Sequence, residues 1–427
     1  MTSLNKQFQR FIRMNRLIVA VLLLCFGFNL QTSAETESEN PLGELKTFAQ
    51  EQPLGDNAIV SLLTVSPGSD VYAHYGHTAI RVCDPGLKID LVFNYGLFDF
   101  HSPNFLWRFV TGKTDYEVGV YSYMDFMLEY QLANRAVTEQ VLNLNPVEKE
   151  TIWQALVENV QPENCTYRYN FFYNNCSTKP RDILVDHISG KVDYRWKGQF
   201  KSLRDEIHFY TAEHPWTRFG IDIVIGAPAD DSASLKSQQF APGMLMESFS
   251  KAVILRNSAK ACPLVLITNY PVKIDQSLIE KPLYLPEPEL VMWMLFLIVV
   301  SLSLLEYKKG KKYKALDIAL FTLAGLLGTL IAFMVLFSEH PTTNVNYLLL
   351  WLHPMHLIYP VCLMIPALRN KSANIYLSIN LPFQLFALAG TLFLPQYFHP
   401  AMYPILFSLM LRSGLSLFSI QKKRTHA

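Results

Sequence analysis

The C-terminal third of the chain alternates apolar segments with loops of alternating charge, and few folds satisfy that pattern. Five apolar segments follow one another: Leu290–Leu305, Ile318–Phe337, Tyr347–Leu368, Ile375–Leu394 and Met402–Ile420. Most approach the roughly 20 residues that a helix needs to cross the hydrocarbon core of a bilayer. The first connection carries Lys308, Lys309, Lys311, Lys312 and Lys314, and the second, Ser338–Asn346, has no Lys or Arg. The third carries Arg369 and Lys371, the fourth (Gln396–Pro400) has neither, and the tail carries Lys422, Lys423 and Arg424. Basic loops face the cytoplasm in membrane proteins, so loops one and three and the tail are expected inside and residues 35–287 outside. His353 and His356 fall within the third segment and Arg369 at its end. They read either as interfacial or structural groups or as contacts to a lipid or acceptor. Pro354, Pro360, Pro366 and Pro382 imply kinks in segments three and four.

The N-terminus supports the same orientation by a different rule. Lys6, Arg10, Arg13 and Arg16 precede the apolar run Leu17–Phe28, and Thr32-Ser33-Ala34 ends on a small residue before Glu35. This is the layout of an export signal at 1–34, cleaved or retained as an anchor. The expected organisation is therefore a signal at 1–34, an exported domain at 35–287, a helical membrane domain at 288–421 and a cytoplasmic tail at 422–427. The expected location is a bacterial inner membrane, with the large domain in the periplasm. Half of all residues are hydrophobic, but the excess sits at the two ends, and the middle has the content of a normal globular core. A net charge of +1 gives no sign of nucleic-acid binding.

Within the exported domain, Tyr75–Val82 alternates as a strand, with Thr78, Ile80 and Val82 on one face and His77, Ala79 and Arg81 on the other. Cys83-Asp84-Pro85-Gly86 signals a turn, and Leu87–Tyr95 reads as a second strand. A four-residue turn at 84–87 sets Cys83 opposite Lys88 and His77 opposite Asn94. Asn145-Pro146-Val147-Glu148 starts a helix with a capping box, and Ile152, Trp153, Leu156, Val157 and Val160 supply its apolar face. A further helix begins near Ser177, with Pro180 in its first turn, which places Cys176 at or just before the helix N-terminus.

Unpaired N–H groups at a helix start favour a thiolate, so Cys176 is a candidate nucleophile with a lowered pKa. His77, on its strand after Gly76, is the candidate base, and Asn94 or His74 the candidate orienter of its ring. The same residues also admit a structural reading, and a weaker metal-binding one, because no ligand-like spacing surrounds Cys176. Cys83, Cys165, Cys176 and Cys262 share an oxidising compartment under this topology and could form two disulfides; a reactive Cys176 requires a free thiol there.

Three segments, 75–82 (Tyr-Gly-His-Thr-Ala-Ile-Arg-Val), 93–100 (Phe-Asn-Tyr-Gly-Leu-Phe-Asp-Phe) and 174–178 (Asn-Asn-Cys-Ser-Thr), resemble the exported domain of the Lnb family of lipoprotein N-acyltransferases. Segments 219–222 and 240–245 fit the later part of that domain, and the apolar C-terminal bundle fits as well. The resemblance implies an α+β chain: a circularly permuted papain-like domain, akin to NlpC/P60 and lecithin:retinol acyltransferase enzymes, followed by an all-α bundle of about five transmembrane helices. It implies Cys176 as nucleophile and His77 as base, with Asn94 and His74 both open as the third residue. It further implies a membrane phospholipid as acyl donor, a Cys176 thioester, and the α-amine of a diacylated lipoprotein as acceptor, with no metal or soluble cofactor. Backbone N–H groups near Ser177 and Thr178 are the expected oxyanion donors. Two other functions remain open at this point. One is a cysteine hydrolase of the same fold, either a phospholipase, which would release fatty acid without an amine, or a cell-wall amidase or peptidase. The other is a non-enzymatic membrane scaffold, which would tolerate loss of Cys176.

Overall fold

The computed structural model describes residues 41–99, 102–256, 261–278, 285–368 and 371–425. The export signal at 1–34 and Arg369 lie outside them. Among the described residues, ten strands form two antiparallel sheets. The larger has the order β10-β5-β1-β2-β3-β4-β6. Its strands are β1 (Ile59–Val65), β2 (His77–Asp84), β3 (Ile89–Leu97), β4 (Asp115–Ser122), β5 (Val137–Leu142), β6 (Thr166–Arg168) and β10 (Val265–Val272). The smaller sheet joins β7 (Lys191–Asp193), β8 (Val253–Leu255) and β9 (Cys262–Pro263). The helices of this part are α1 (Pro41–Glu51), α2 (Phe105–Val110), α3 (Tyr123–Leu132), α4 (Pro146–Asn159), α5 (Thr178–Asp186), α6 (Leu203–Tyr210), α7 (Pro215–Val224), α8 (Leu235–Gln238) and α9 (Pro242–Lys251). Helices α10 (Pro288–Lys309), α11 (Lys314–Phe337), α12 (Ile358–Met364), α13 (Lys371–Gly390) and α14 (Met402–Thr425) follow. The chain is thus α+β, with a sheet-rich N-terminal part and a helical C-terminal part.

Helix α4 starts as its sequence requires. The Asn145 side chain accepts from the Glu148 N–H, and the Glu148 carboxylate accepts from the Asn145 N–H, both at 2.9 Å. Its apolar face is buried: Ile152, Trp153, Leu156 and Val157 pack on Leu62, Ile80, Val82 and Phe93 of the sheet. Phe126, Met127 and Tyr130 of α3 cover the opposite face over Leu63, Val65, Ala79 and Val92. Strand β2 therefore alternates between two cores, and its two faces are those read from the sequence.

The hairpin register differs from expectation. Asp84 pairs with Ile89 and Cys83 with Asp90, so the loop is 85–88 rather than 84–87. Asp84 causes the shift. Its Oδ1 accepts from the N–H groups of Gly86 and Leu87, which winds the chain immediately after it, and Lys88 closes the loop at φ +57°. Each strand moves by one position, so the relative register changes by two, and side chains keep their faces. Ala79, not His77, lies opposite Asn94. His77 and Asn94 share a face as diagonal neighbours.

Among the described residues, three helical stretches are long and apolar enough to cross a membrane: Pro288–Lys309, Lys314–Phe337 and Tyr347–Met364; Met402–Phe418 is a shorter apolar helix. The third is not the continuous helix the sequence suggested. It consists of 3-10 turns at Tyr347–Leu350 and Pro354–Leu357, then α12. Pro354 holds His353 in an extended conformation and ends the first turn. Irregular backbone at this depth needs internal partners. His356, fully buried, supplies one by donating from Nε2 to the Trp351 carbonyl at 2.6 Å, while Nδ1 meets the Tyr376 hydroxyl at 2.7 Å. His356 stacks on His353 at 4.3 Å, so both histidines help hold the broken segment. The sequence reading missed a buried polar link in the bundle. Buried Arg412 of α14 bonds Asp317 of α11 at 2.6 Å and Glu306 and Ser303 of α10 at 2.8 and 3.0 Å.

The two connections without Lys or Arg touch the exported domain. Gly226 and Ala227 donate to the Thr342 and Val345 carbonyls at 2.7 and 2.8 Å, and the Asn346 side chain donates to the Ile223 carbonyl at 2.9 Å. In the other connection, Tyr397 meets His208 and His399 meets Phe219, with ring centroids 5.0 and 4.9 Å apart. Phe219 and Ile223 of α7 are buried in one cluster with Phe321, Leu348 and Trp351. The non-basic loops and the exported domain thus lie on one side.

Candidate active site

Four elements converge at one end of the large sheet: the start of β2, the end of β3, the C-terminal end of α3 and the start of α5. Gly76 precedes β2 at φ +90°, where a Cβ would lie 2.6 Å from the Val65 carbonyl oxygen. The chain can make this tight entry into the strand only with glycine, and His77 follows at once. His77 Nε2 and Asn94 Oδ1 are 2.5 Å apart. With a carbonyl oxygen as its partner, Nε2 carries the proton. In the neutral ring, Nδ1 then has the free lone pair.

Helix α5 begins through Asn175. Its Oδ1 accepts from the N–H groups of Ser177 and Thr178, both at 2.9 Å, and its N–H donates to Thr178 Oγ1 at 2.8 Å. Its amide nitrogen is fixed on the Phe171 and Phe240 carbonyls at 2.8 and 2.9 Å. Cys176 is therefore held just before the helix by a loop that Asn175 anchors. The neighbouring strand leaves room for it. Gly96 has φ +92°, and a Cβ there would lie 3.1 Å from Cys176 Cβ. The backbone N–H groups of Thr78, the residue after His77, and of Cys176 itself lie near enough to the sulfur to favour thiolate. Cys176 forms no disulfide, and neither do Cys83, Cys165, Cys262 or Cys362.

Two expectations are corrected. The N–H groups of Ser177 and Thr178 are occupied by Asn175 and do not face the sulfur. The N–H groups that do are those of Thr78 and Cys176. For the same reason the helix start does not depress the thiol. Burial pushes Cys176 up to about 11, against the two N–H groups and the Arg135 charge, which all favour thiolate. Burial also lowers His77 to about 4, against the Asn94 hydrogen bond and with some help from Arg135. The unliganded pair is thus a neutral thiol and a neutral imidazole at pH 7.

His74 lies elsewhere. It is buried, stacks on His214 with centroids 3.8 Å apart, and meets the Ser69 carbonyl at 3.3 Å. Burial and then His214 lower its pKa. The structure thus brings His77, Asn94 and Cys176 to one sheet end and gives the ring contact to Asn94 rather than His74. Sequence reading missed Arg135. Its Nε donates to the Ser66 carbonyl at 2.9 Å, its guanidinium lies 5.1 Å from the Tyr130 ring centre, and its buried Nη2 has no partner. Nothing local marks Arg135, because the strand ladder between β1 and β5 brings it to the site. Among the described residues, no three His, Cys, Asp or Glu side chains gather as a metal ligand set would.

No curated protein and no solved structure matches the chain. A family model described as the Lnb N-terminal periplasmic domain matches residues 45–206, which contain the whole His77–Asn94–Cys176 site. A second, described as the Lnb transmembrane domain, matches residues 280–424, the helical part. The two matches follow the order of the parts in the structure and together span most of the sequence, and the chain belongs to the Lnb family.

Proposed function

We propose that the chain is a lipoprotein N-acyltransferase of the inner membrane. In this reading it moves an acyl chain from a phospholipid to the N-terminal α-amine of a diacylated lipoprotein through a Cys176 thioester. One observation carries the reading: Cys176 lies just before the start of α5, at the same sheet end as a His77 ring that Asn94 holds in the tautomer of a base. Family membership supports a lipoprotein N-acyltransferase-like membrane protein. We also read the domain as permuted papain-like, because the histidine strand precedes the cysteine helix. The bundle is read as five spans, with the basic loops inside.

The neutral pair sets the order of events. A thiol near 11 is scarcely ionised at pH 7, so the proton must leave as the bond forms. Cys176 Sγ attacks the ester carbonyl carbon of the phospholipid while His77 Nδ1 takes the thiol proton. The oxyanion forms against the N–H groups of Cys176 and Thr78. Collapse breaks the ester C–O bond, His77 returns the proton to the departing lysophospholipid oxygen, and the thioester remains. The lipoprotein amine then attacks the thioester carbonyl, and its proton returns to sulfur through His77. Asn94 holds the ring through both halves.

Intact-mass analysis of the full-length protein after exposure to phospholipid tests this directly. A fatty-acyl adduct mapped to Cys176, discharged when a diacyl lipopeptide is added, is the expected result. Free fatty acid released at the same rate without lipopeptide would identify a hydrolase instead.

A further inference from the structure

Helix α2 is unusual for this domain, because none of its six residues is buried. Trp107 is 56% exposed and Phe109 46%. An aromatic cluster left in water is unfavourable, and its position explains it. The helix is fixed to the outer end of α11. Trp107 lies 5.1 Å from the Phe333 ring. The Phe109 carbonyl accepts from His340 Nε2 and the Thr111 carbonyl from the Glu339 N–H, both at 2.9 Å. Gly112 follows at φ +72°, where a Cβ would press on the Glu339 and His340 backbone at 3.1–3.2 Å. Contact with the last turn of an apolar spanning-length helix puts α2 at the depth of the membrane interface, where aromatic belts sit.

A belt alone would end there. This one continues inward as a ladder of rings. Phe109 meets Phe105 at 6.2 Å, Phe105 meets Phe98 at 5.8 Å, Phe98 meets Tyr116 at 4.8 Å, and Tyr116 stacks on Tyr169 at 3.9 Å. Phe98 is two residues beyond Gly96, the glycine packed on Cys176. A cavity of about 420 Å³ opens along the ladder, with Leu97, Phe98 and Phe105 on its apolar side and Asp99, Ser102, Arg108, Thr114, Asp115, Glu117 and Thr166 on its polar side.

We infer that Phe98, Phe105 and Trp107 form a docking ramp for one acyl chain of a membrane phospholipid, leading from the outer end of α11 to Cys176. The inference rests on the proposed acyl-transfer reading for the identity of the occupant. Three features favour an acyl chain. The ramp is continuous with a membrane helix at one end and runs toward Gly96, the glycine packed on Cys176, at the other. Its rings present a narrow apolar strip rather than a broad protein-sized face. The polar side of the cavity can face the ester and headgroup region while the chain lies on the rings.

The test uses full-length Cys176→Ala protein in lipid nanodiscs, so that turnover plays no part. The probe is a phosphatidylethanolamine with a diazirine near the end of one acyl chain. Photolabelling is expected within 98–110 and on Phe333 or Phe337. Trp107→Asp and Phe105→Asp should each reduce labelling of 98–110 by about tenfold, the scale of losing one buried aromatic contact. Met124→Asp, at a still more exposed apolar position on α3, should leave it unchanged. Phe105→Leu, which keeps an apolar side chain, should retain most labelling and guards against a folding defect in the aspartate variant. Labelling confined to α3, or to membrane helices without 98–110, would overturn the ramp. The outcomes separate the two proposals. A labelled ramp in a protein whose wild-type Cys176 never acquires an acyl group refutes the transfer reading alone. An acylated Cys176 with an unlabelled ramp refutes the ramp alone.

Discussion

The exported domain meets its surroundings at two places, the seam with the membrane helices and the sheet end that carries Cys176, and they are built in opposite ways. At the seam one buried polar cluster, built on Arg204, is held several times over. Arg204, almost fully buried, bonds Asp222 at 2.6 Å, Asp230 at 2.8 Å and the Gly226 carbonyl at 3.0 Å. Asp222 also meets His208 at 3.0 Å. Gly226 approaches Val345 so closely that a Cβ would lie 1.8 Å from its carbonyl oxygen. At the sheet end no such cluster forms, and buried Thr64 Oγ1, Thr78 Oγ1, Tyr95 OH and Arg135 Nη2 are without partners. Native interiors rarely tolerate such groups, and they concentrate where a substrate supplies the missing bonds. The seam therefore fixes position, and the site keeps hydrogen-bonding capacity in reserve. Substitutions in the two places should fail differently: lost stability at the seam, lost chemistry with the fold intact at the site.

The largest effect is expected at Cys176. Cys176→Ala should abolish both lysophospholipid release and triacyl product, while the thermal midpoint stays close to wild type. A variant that retains product formation would remove the nucleophile from the site and collapse the contrast. His77→Ala should slow acylation by ~10²–10⁴-fold, the usual scale for losing a general acid–base. The neutral-pair state adds a measurement on wild type. With the thiol near 11, iodoacetamide alkylation of Cys176 should rise about tenfold per pH unit from roughly pH 7 to 10, without a plateau. A plateau below about pH 8 would reveal a preformed thiolate and reverse the order of proton transfer proposed here.

At the seam, Asp222→Ala strands the Arg204 guanidinium beside a vacated carboxylate. Breaking one partner of a buried ion pair typically costs about 3–5 kcal/mol, tempered here because Asp230 remains. Thermal unfolding in detergent should show the loss. The folded fraction should keep its rate of acyl-enzyme formation with a short-chain, water-soluble ester. A catalytic defect at unchanged stability would mean that the seam tunes the chemistry, and the division between the two places would fail.

What the sequence disclosed follows the same division. Patterns confined to a few residues were legible: the Asn145–Glu148 box, the alternating faces of β2, and the helix start after Cys176. The His77–Asn94 contact was legible although the register was misjudged, because a shift of two keeps faces in phase. Features made by distant segments were not. Arg135, delivered by the loop between α3 and β5, and Arg412, meeting carboxylates from two other helices, leave no local trace. The direction of the Cys176 shift was misread for a related reason. A helix start signals available N–H groups, but not that a neighbouring Asn175 has already claimed them, nor how deeply the sulfur is buried. In the third apolar segment composition suggested a span, yet Pro354 and the packing of His353 on Gly328, where a Cβ would lie 2.6 Å from its backbone, break it.

The smallest and most discriminating effect is expected at Asn94. One hydrogen bond is worth about 1 kcal/mol net, so Asn94→Ala should lower kcat/KM by roughly tenfold or less. Its signature is in the pH profile. His77 acts as base only when neutral, and its folded pKa is about 4 against an ordinary 6.5. Wild-type kcat/KM should therefore hold from neutral pH down through the ordinary histidine range and fall only as pH approaches about 4. The Asn94 bond favours the protonated ring, opposing the burial that lowers it. Removing the bond should move the acid limb to still lower pH while the plateau drops. Asn94→Asp should do the opposite to the limb: a carboxylate beside Nε2 stabilises the imidazolium and raises the pKa. Opposite shifts from two substitutions at one position require that Asn94 touch the ring in the working enzyme. If both variants lose activity with the acid limb unmoved, Asn94 acts through folding alone, and the site would hold its ring by some other contact.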